Sequence, residues 1–351
     1  MDGGCIMALF WSWGFEINRD KTWYNACGWS SIGSLPTSAT NNTDNHQPLA
    51  GNGGGGGFCL WVDQNTNQAG LETPDLGATT AGGVSMSLKL TQHPSTSTQI
   101  FYFQNGATSL GYVQIQSTGE IAIYSDGGLL ATSTAIIGEG VWMKMGIKYE
   151  RNSSTGSMDV LINGTSVVSF SSGDTGSTQS WNKVRFTGRR NMDPYFDHVC
   201  LFNSLSDDFT KNYFIEAIDP TGDDTDGSFT KDGGGAVDLY QAVDTYGSDY
   251  ALTSTDPDTC KFTAQDRTDI NASWAPANLH GVTVIASAKG DGSLINGNVV
   301  LEHGGSTEHG TTTAVGVSDN LVYHFYSDSP DSTAWVAADI DDLKPGYRAQ
   351  S

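Results

Sequence analysis

The chain has 351 residues, and its 17 Lys and Arg against 39 Asp and Glu give a formal net charge of −22. That charge opposes phosphate backbones and anionic membranes, which argues against nucleic acid as a partner, and no run reaches the ~18 apolar residues of a membrane helix. With 37% hydrophobic and 10% aromatic residues beside 43 Gly, the composition excludes wholesale disorder and points to turn-rich, all-β structure in about two domains.

Residues 1–6 read as an N-terminal extension, because Met7 offers a second start. The apolar run at 6–15 follows Asp2 rather than Lys or Arg and lacks a small-residue cleavage site, so it is not read as a signal peptide. Strand candidates then follow at 9–15, 57–62, 84–90 and 100–104, with the five-Gly run at 53–57 as a loop. A hairpin is expected from 111–116, a turn at Thr118-Gly119, and 120–124, and a turn at Asp126-Gly127-Gly128 leads into 129–133. In 141–149, Val141, Met143, Met145, Ile147 and Tyr149 share one face while Trp142, Lys144 and Lys148 share the other, which is the alternation of a half-buried strand. Asn163-Gly164, between 157–162 and 165–170, is the dipeptide of a two-residue type I′ hairpin. Strands at 184–187 and 195–202 bring the count to about a dozen, as one antiparallel jelly roll over residues 7–204 requires.

Residues 205–212 read as a connector, with one helical turn over 206–212 capped by Ser206 and carrying Asp207 and Asp208 in its first turn. Beyond it lie a strand at 213–218 and a polar loop at 219–228. Strands at 236–242, 251–253, 259–263, 281–289, 298–302 and 321–327 then suggest a smaller β-sandwich over 213–351. The spacing of Trp335 and Ala338 predicts a short helix over 334–343, stopped by Pro345-Gly346.

Cys5, Cys27, Cys59, Cys200 and Cys260 are odd in number and never in C-x-x-C spacing, so they read as buried free thiols, with a Cys27–Cys59 pair as the alternative. The glutamates Glu16, Glu72, Glu120, Glu139 and Glu150 never fall at i, i+2 or i+4, the spacing of a glycosidase pair on one strand face. G-x-S-x-G, P-loop and H-E-x-x-H patterns are absent. Residues 219–227 resemble an EF-hand loop only at Asp224, Asp226 and Gly227, and a solvated Asx turn is the simpler reading. The Glu302-His303 and Glu308-His309 pairs sit in a Gly/Ser/Thr stretch expected as a loop, where a plain polar surface outweighs a transition-metal site. No catalytic, cofactor or metal residue is therefore assigned. Most of the N-terminal tryptophans are expected in the core, and Trp23 and Trp29, in the irregular stretch 20–36, are the candidates for glycan contact.

Taken in order, several segments resemble a group of tailed-bacteriophage virion proteins. MALFWSWGFE at 7–16 is similar to their opening strand, although Ser12-Trp13-Gly14 stands where Asp-Gly is usual. GYVQIQSTGEIAIYSDGGLLATS at 111–133, SMDVLINGTSVVSF at 157–170 and YFDHVCLFNS at 195–204 resemble the laminin-G/concanavalin-A-like jelly roll. IEAIDPTGDD at 215–224, VTVIASAKGDGS at 282–293 and SPDSTAWVAADIDDLKPGY at 329–347 resemble the second half of the same phage proteins. The resemblance implies a non-enzymatic structural component of the virion, a capsid decoration or head fibre, with a tail-associated glycan-binding adhesion protein as the alternative. The partners it implies are other virion proteins of capsid or tail, a homotrimeric arrangement and, in the alternative reading, host-surface glycan. It implies no cofactor. Residues 1–6, or the apolar run beside them, are expected either to contact another virion protein or simply to precede the first core strand.

Overall fold

The computed structural model describes residues 9–13, 30–32, 60–61, 69–177, 179–189, 192–206, 208–210, 220–232, 238, 250–266, 279–290, 295–317 and 320–350. The extension at 1–6, the five-Gly run, Trp23, Trp29, Cys5, Cys27, Cys59 and the strands expected at 213–218 and 236–242 lie outside the described residues. The chain folds as two units, the first running to Ile215 and the second from Glu216. Both are all-β.

The first unit contains two seven-stranded antiparallel sheets. One runs β1 (Leu9–Trp13), β14 (Pro194–Phe202), β5 (Ala81–Leu90), β10 (Trp142–Glu150), β11 (Gly156–Ile162) and β12 (Thr165–Gly173), with β3 (Leu60–Trp61) also paired to β14. The other runs β2 (Ser30–Ile32), β4 (Ala69–Glu72), β13 (Lys183–Gly188), β6 (Thr98–Asn105), β7 (Thr108–Ile115), β8 (Glu120–Ser125) and β9 (Gly128–Ile136). Alternation turns one face of each strand inward. Met86, Met145, Ile147 and Tyr149 of the first sheet are fully buried, as are Phe101, Phe103, Ile123 and Phe186 of the second. Aromatic rings join the layers, with Phe103 and Tyr149 centroids 4.9 Å apart and Phe186 and Phe196 5.3 Å apart. Each such ring withdraws enough apolar surface to contribute roughly 1.5–3 kcal/mol.

The expected hairpins form. Asn163 at φ 49 and Gly164 at φ 80 make the left-handed pair that a type I′ turn needs between β11 and β12. The second face of β10, expected to meet solvent, does so only at its ends, where Trp142, Lys148 and Glu150 are partly exposed. Lys144 is only 3% exposed, and Phe209 packs against Gly146 and joins Leu161, Cys200 and Phe202 in a small apolar cluster. Residues 204–206 and 208–210 lie on this sheet as irregular turns, with Asp208 Oδ1 accepting from the Thr210 backbone at 3.1 Å, and Asp207, Lys211 and Asn212 of the helical turn expected over 206–212 lie outside the described residues.

The second unit is built on a six-stranded sheet ordered β15 (Pro220–Thr225), β18 (Asp258–Ala264), β24 (Lys344–Gln350), β20 (Ile295–His303) and β21 (Ser306–His309), with β22 (Thr313–Val315) also on β20. Two ribbons accompany it, β16 (Thr230–Asp232) with β17 (Tyr250–Leu252), and β19 (Val282–Ala288) with β23 (Asn320–Tyr326). Val284, Val322 and Tyr326 of the second ribbon share a core with Val299 and Leu301 of the sheet and with Trp335, Ile340 and Leu343.

One expectation is corrected here and another is narrowed. Within the polar loop expected at 219–228, Pro220–Thr225 forms strand β15 and a turn at Gly227-Ser228 follows, closed by the Phe229 N–H donating to the Asp226 carbonyl at 3.0 Å. Backbone pairing to β18 needs no apolar side chains on an edge. The short helix expected at 334–343 forms as a 3-10 helix over Ala337–Asp342, and Asp339 accepts the Val336 N–H at 2.9 Å to start it. The helix ends before Pro345-Gly346, and the dipeptide itself continues as strand. It lies in β24, a central strand, opposite Leu301 and Val300. Gly346 is required there, because a Cβ would fall 2.1 Å from the Cys260 carbonyl oxygen.

Candidate binding face

Strand register brings one line of side chains across all seven strands of the second sheet of the first unit. Ser30 lies opposite Glu72, Glu72 opposite Arg185, Arg185 opposite Tyr102, Tyr102 opposite Tyr112, Tyr112 opposite Tyr124 and Tyr124 opposite Leu129. These positions alternate with the core residues Phe101, Phe103, Val113 and Ile123, so the row stands on the outer face, where Arg185, Tyr112 and Tyr124 are half-buried and Glu72 and Tyr102 are buried. Glu72 accepts from Arg185 Nη2 at 3.1 Å and from Lys183 Nζ at 3.0 Å. The Arg185 guanidinium lies 5.3 Å from the centroid of the Tyr102 ring. Tyr102 and Tyr112 are 5.5 Å apart, and Tyr112 and Tyr124 stack at 4.5 Å with planes 9° apart.

Neighbouring strands are about 4.8 Å apart, so rings stacked at that spacing stand upright on the sheet with their faces turned to one another. What they offer outward is their edges and hydroxyls. Burial, then the neighbouring phenols of Tyr124 and Tyr102, raise the Tyr112 pKa, which keeps it a neutral donor, while a hydrogen bond from Gln99 opposes the shift. Two cations against one carboxylate leave the Glu72 end of the row positive, in a chain of net charge −22.

A second polar group lies on the outer face of the other sheet of this unit. Ser85, Ser87, Lys144, Asp197, His198 and Cys200 are all 5% exposed or less. Ser87 Oγ is 3.2 Å from His198 Nδ1, and Asp197 Oδ2 is 3.7 Å from the same nitrogen. A Ser-His-Asp relay needs serine and carboxylate on opposite ring nitrogens and a serine open to substrate. Here both partners meet Nδ1, inside the protein. His198 takes φ 47 where the β5–β14 register shifts, and Asp197 Oδ1 accepts its backbone N–H at 2.7 Å. Burial pushes Lys144 down to about 8 and the Cys200 thiol up to about 12. The group is a buried polar network of the fold.

In the second unit, Asp224 of the EF-hand-like stretch is 2.8 Å from Lys344 Nζ, and Glu302 is hydrogen-bonded to Lys261 and Lys344. Asp258 closes the adjoining turn, accepting from the Ser228 N–H at 3.0 Å and from Thr253 Oγ1 at 2.6 Å. His303 and His309 are not on a loop. They lie on β20 and β21, whose Gly304-Gly305 turn takes φ 58 and 80, and they pair with Ser306 and Val300 rather than with each other. His303 Nδ1 meets Ser329 Oγ at 2.7 Å, and Nε2 is 3.5 Å from Asp339 Oδ1. Among the described residues, no group of three or more His, Cys, Asp and Glu is placed to hold a metal ion.

No family model and no curated protein matches this chain by sequence. Among solved structures it is similar to a sialidase at 12% identity and TM-score 0.38, over 58% of this chain and 19% of the sialidase, so it spans about a fifth of that protein. It is also similar to a protein of unknown function with a galectin-like fold from Bacillus subtilis, at 11% identity and TM-score 0.37, over 56% of this chain and 96% of that one. Carbohydrate-binding module CBM66 from Bacillus subtilis gives 7% identity and TM-score 0.30, over 51% of this chain and 93% of the module.

Proposed function

We propose that the chain is a non-enzymatic structural protein of a tailed-phage particle, displayed on its surface as a capsid decoration or head fibre. The observation that carries this reading is the ordered run of phage-like segments. Those at 111–133, 157–170 and 195–204 fall on β7–β9, β11–β12 and β14, and those at 282–293 and 329–347 on β19 and on the 3-10 helix with the start of β24. The disposition of charge supports it. The Asp126 and Glu302 carboxylates hold Lys or Arg partners, and the Ser87–His198–Asp197 group lies inside the fold. Catalysis needs groups aimed at a site that substrate can enter, whereas these side chains are spent on holding strands together.

Mass spectrometry of gradient-purified particles tests the proposal. The chain is expected at a fixed copy number per particle, and particles made without its gene should lose that component while keeping their DNA. Its presence only in the unassembled lysate fraction overturns the reading.

A further inference from the structure

We infer that the outer face bearing the Glu72–Arg185–Tyr102–Tyr112–Tyr124 row is a binding site for an oligosaccharide that carries a carboxylate. This does not rest on the particle proposal. The tyrosine faces are taken up by one another and by the Arg185 guanidinium, so a sugar cannot stack flat upon them. What remains is the pair of phenol hydroxyls of half-buried Tyr112 and Tyr124, one strand spacing apart, while Tyr102 beside them is only 9% exposed. Hydroxyls that both donate and accept match the hydroxyls of a sugar chain lying across the strands.

Charge sets the ligand class. Lys183 and Arg185, with side chains 22% and 21% exposed, share the single Glu72 carboxylate. An anion at that end gains charge-assisted hydrogen bonds that a neutral sugar does not, and carboxylates repelled by an acidic chain elsewhere meet a positive rim here. A carboxylate at the Lys183–Arg185 end, with the sugar hydroxyls on the tyrosine pair, satisfies both halves of the face.

Calorimetric titration of the full chain tests this with 3′-sialyllactose and tetragalacturonate, each beside its neutral counterpart, lactose and galactotetraose. At least one acidic sugar is expected to bind about tenfold more tightly than its neutral counterpart, and to weaken as salt is raised. The double variant Tyr112→Phe/Tyr124→Phe keeps both rings and should weaken binding about tenfold with an unchanged melting temperature. Lys183→Gln should abolish the preference for the acid while neutral sugar binding is kept. Absence of binding by both acids overturns the inference. So does equal binding of acid and neutral sugar, or wild-type affinity in the double phenylalanine variant.

Discussion

Tyr112 and Tyr124 stack face to face on adjacent strands, with centroids 4.5 Å apart and planes 9° apart. The pair joins β7 to β8 through side chains as well as the backbone ladder, and it needs the rings rather than the hydroxyls. Tyr124→Ala should cost about 1–2 kcal/mol from lost stacking and lost burial, and Tyr124→Phe less than about 0.5 kcal/mol. Urea unfolding monitored by circular dichroism checks both values. Equal losses for the two variants would show that the hydroxyl, not the stack, holds the strands.

Arg151 is fully enclosed among the described residues of the first unit. Its side chain is 0% exposed, with Nη2 2.9 Å from Asp126 Oδ2, Nη1 2.7 Å from the Leu110 carbonyl and Nε 3.0 Å from that of Ser177. Arg151→Met removes three donors and leaves acceptors without them, for an expected loss of about 2–4 kcal/mol. Asp126 is 38% exposed, so water takes over part of its role and Asp126→Asn should cost only about 1 kcal/mol. Thermal melts of the two variants should preserve that order.

What the sequence made legible follows from local rules. The Asn163-Gly164 turn and the inward face Met143, Met145, Ile147 and Tyr149 of β10 depend on neighbours in the chain and appear where the pattern puts them, whereas Val141, expected on that face, is exposed. Strands β15 and β24 obey different physics. Pro220–Thr225 is polar because it lies at a sheet edge, and Lys344–Gln350 tolerates Pro345 and needs Gly346 because β18 comes close to its backbone. Neither gives an alternating pattern. The burial of Lys144 was equally hidden, since a lysine in a period-2 strand is ordinarily a sign of the solvent face. The tyrosine row has no local signature at all. Glu72 and Arg185 are 113 positions apart, and only the register of seven strands brings the line together. Trp23 and Trp29, singled out because their surroundings are irregular, lie outside the described residues.

The thiols of Cys200 and Cys260 should be inert in the native protein. Burial pushes each up to about 12, and both side chains are enclosed. The thiolate is the reactive form, so alkylation at pH 8 should reach these two cysteines only on unfolding. Peptide mapping after iodoacetamide treatment, with and without urea, checks this. Rapid native labelling of either would contradict the packing.

Acid should weaken the second unit through Glu302. A hydrogen bond from Lys261, reinforced by Thr307 and Lys344, holds its carboxyl down to about 2. Because the folded pKa lies below the unfolded value of about 4.3, the stabilisation is fully present above that pH and is lost as pH falls toward about 2. Screening near the surface reduces it to about 1–2 kcal/mol. Glu302→Gln should lower stability at pH 6 by that amount and flatten the change between pH 5 and pH 2, as thermal melts across that range will show.

Immunogold labelling of intact phage particles, with antibody raised against the purified chain, tests the central claim most directly. Gold at regular positions on the particle surface, lost when the gene is deleted, is the predicted result. Unlabelled particles alongside abundant soluble chain in the same lysate would contradict a role as a displayed structural protein.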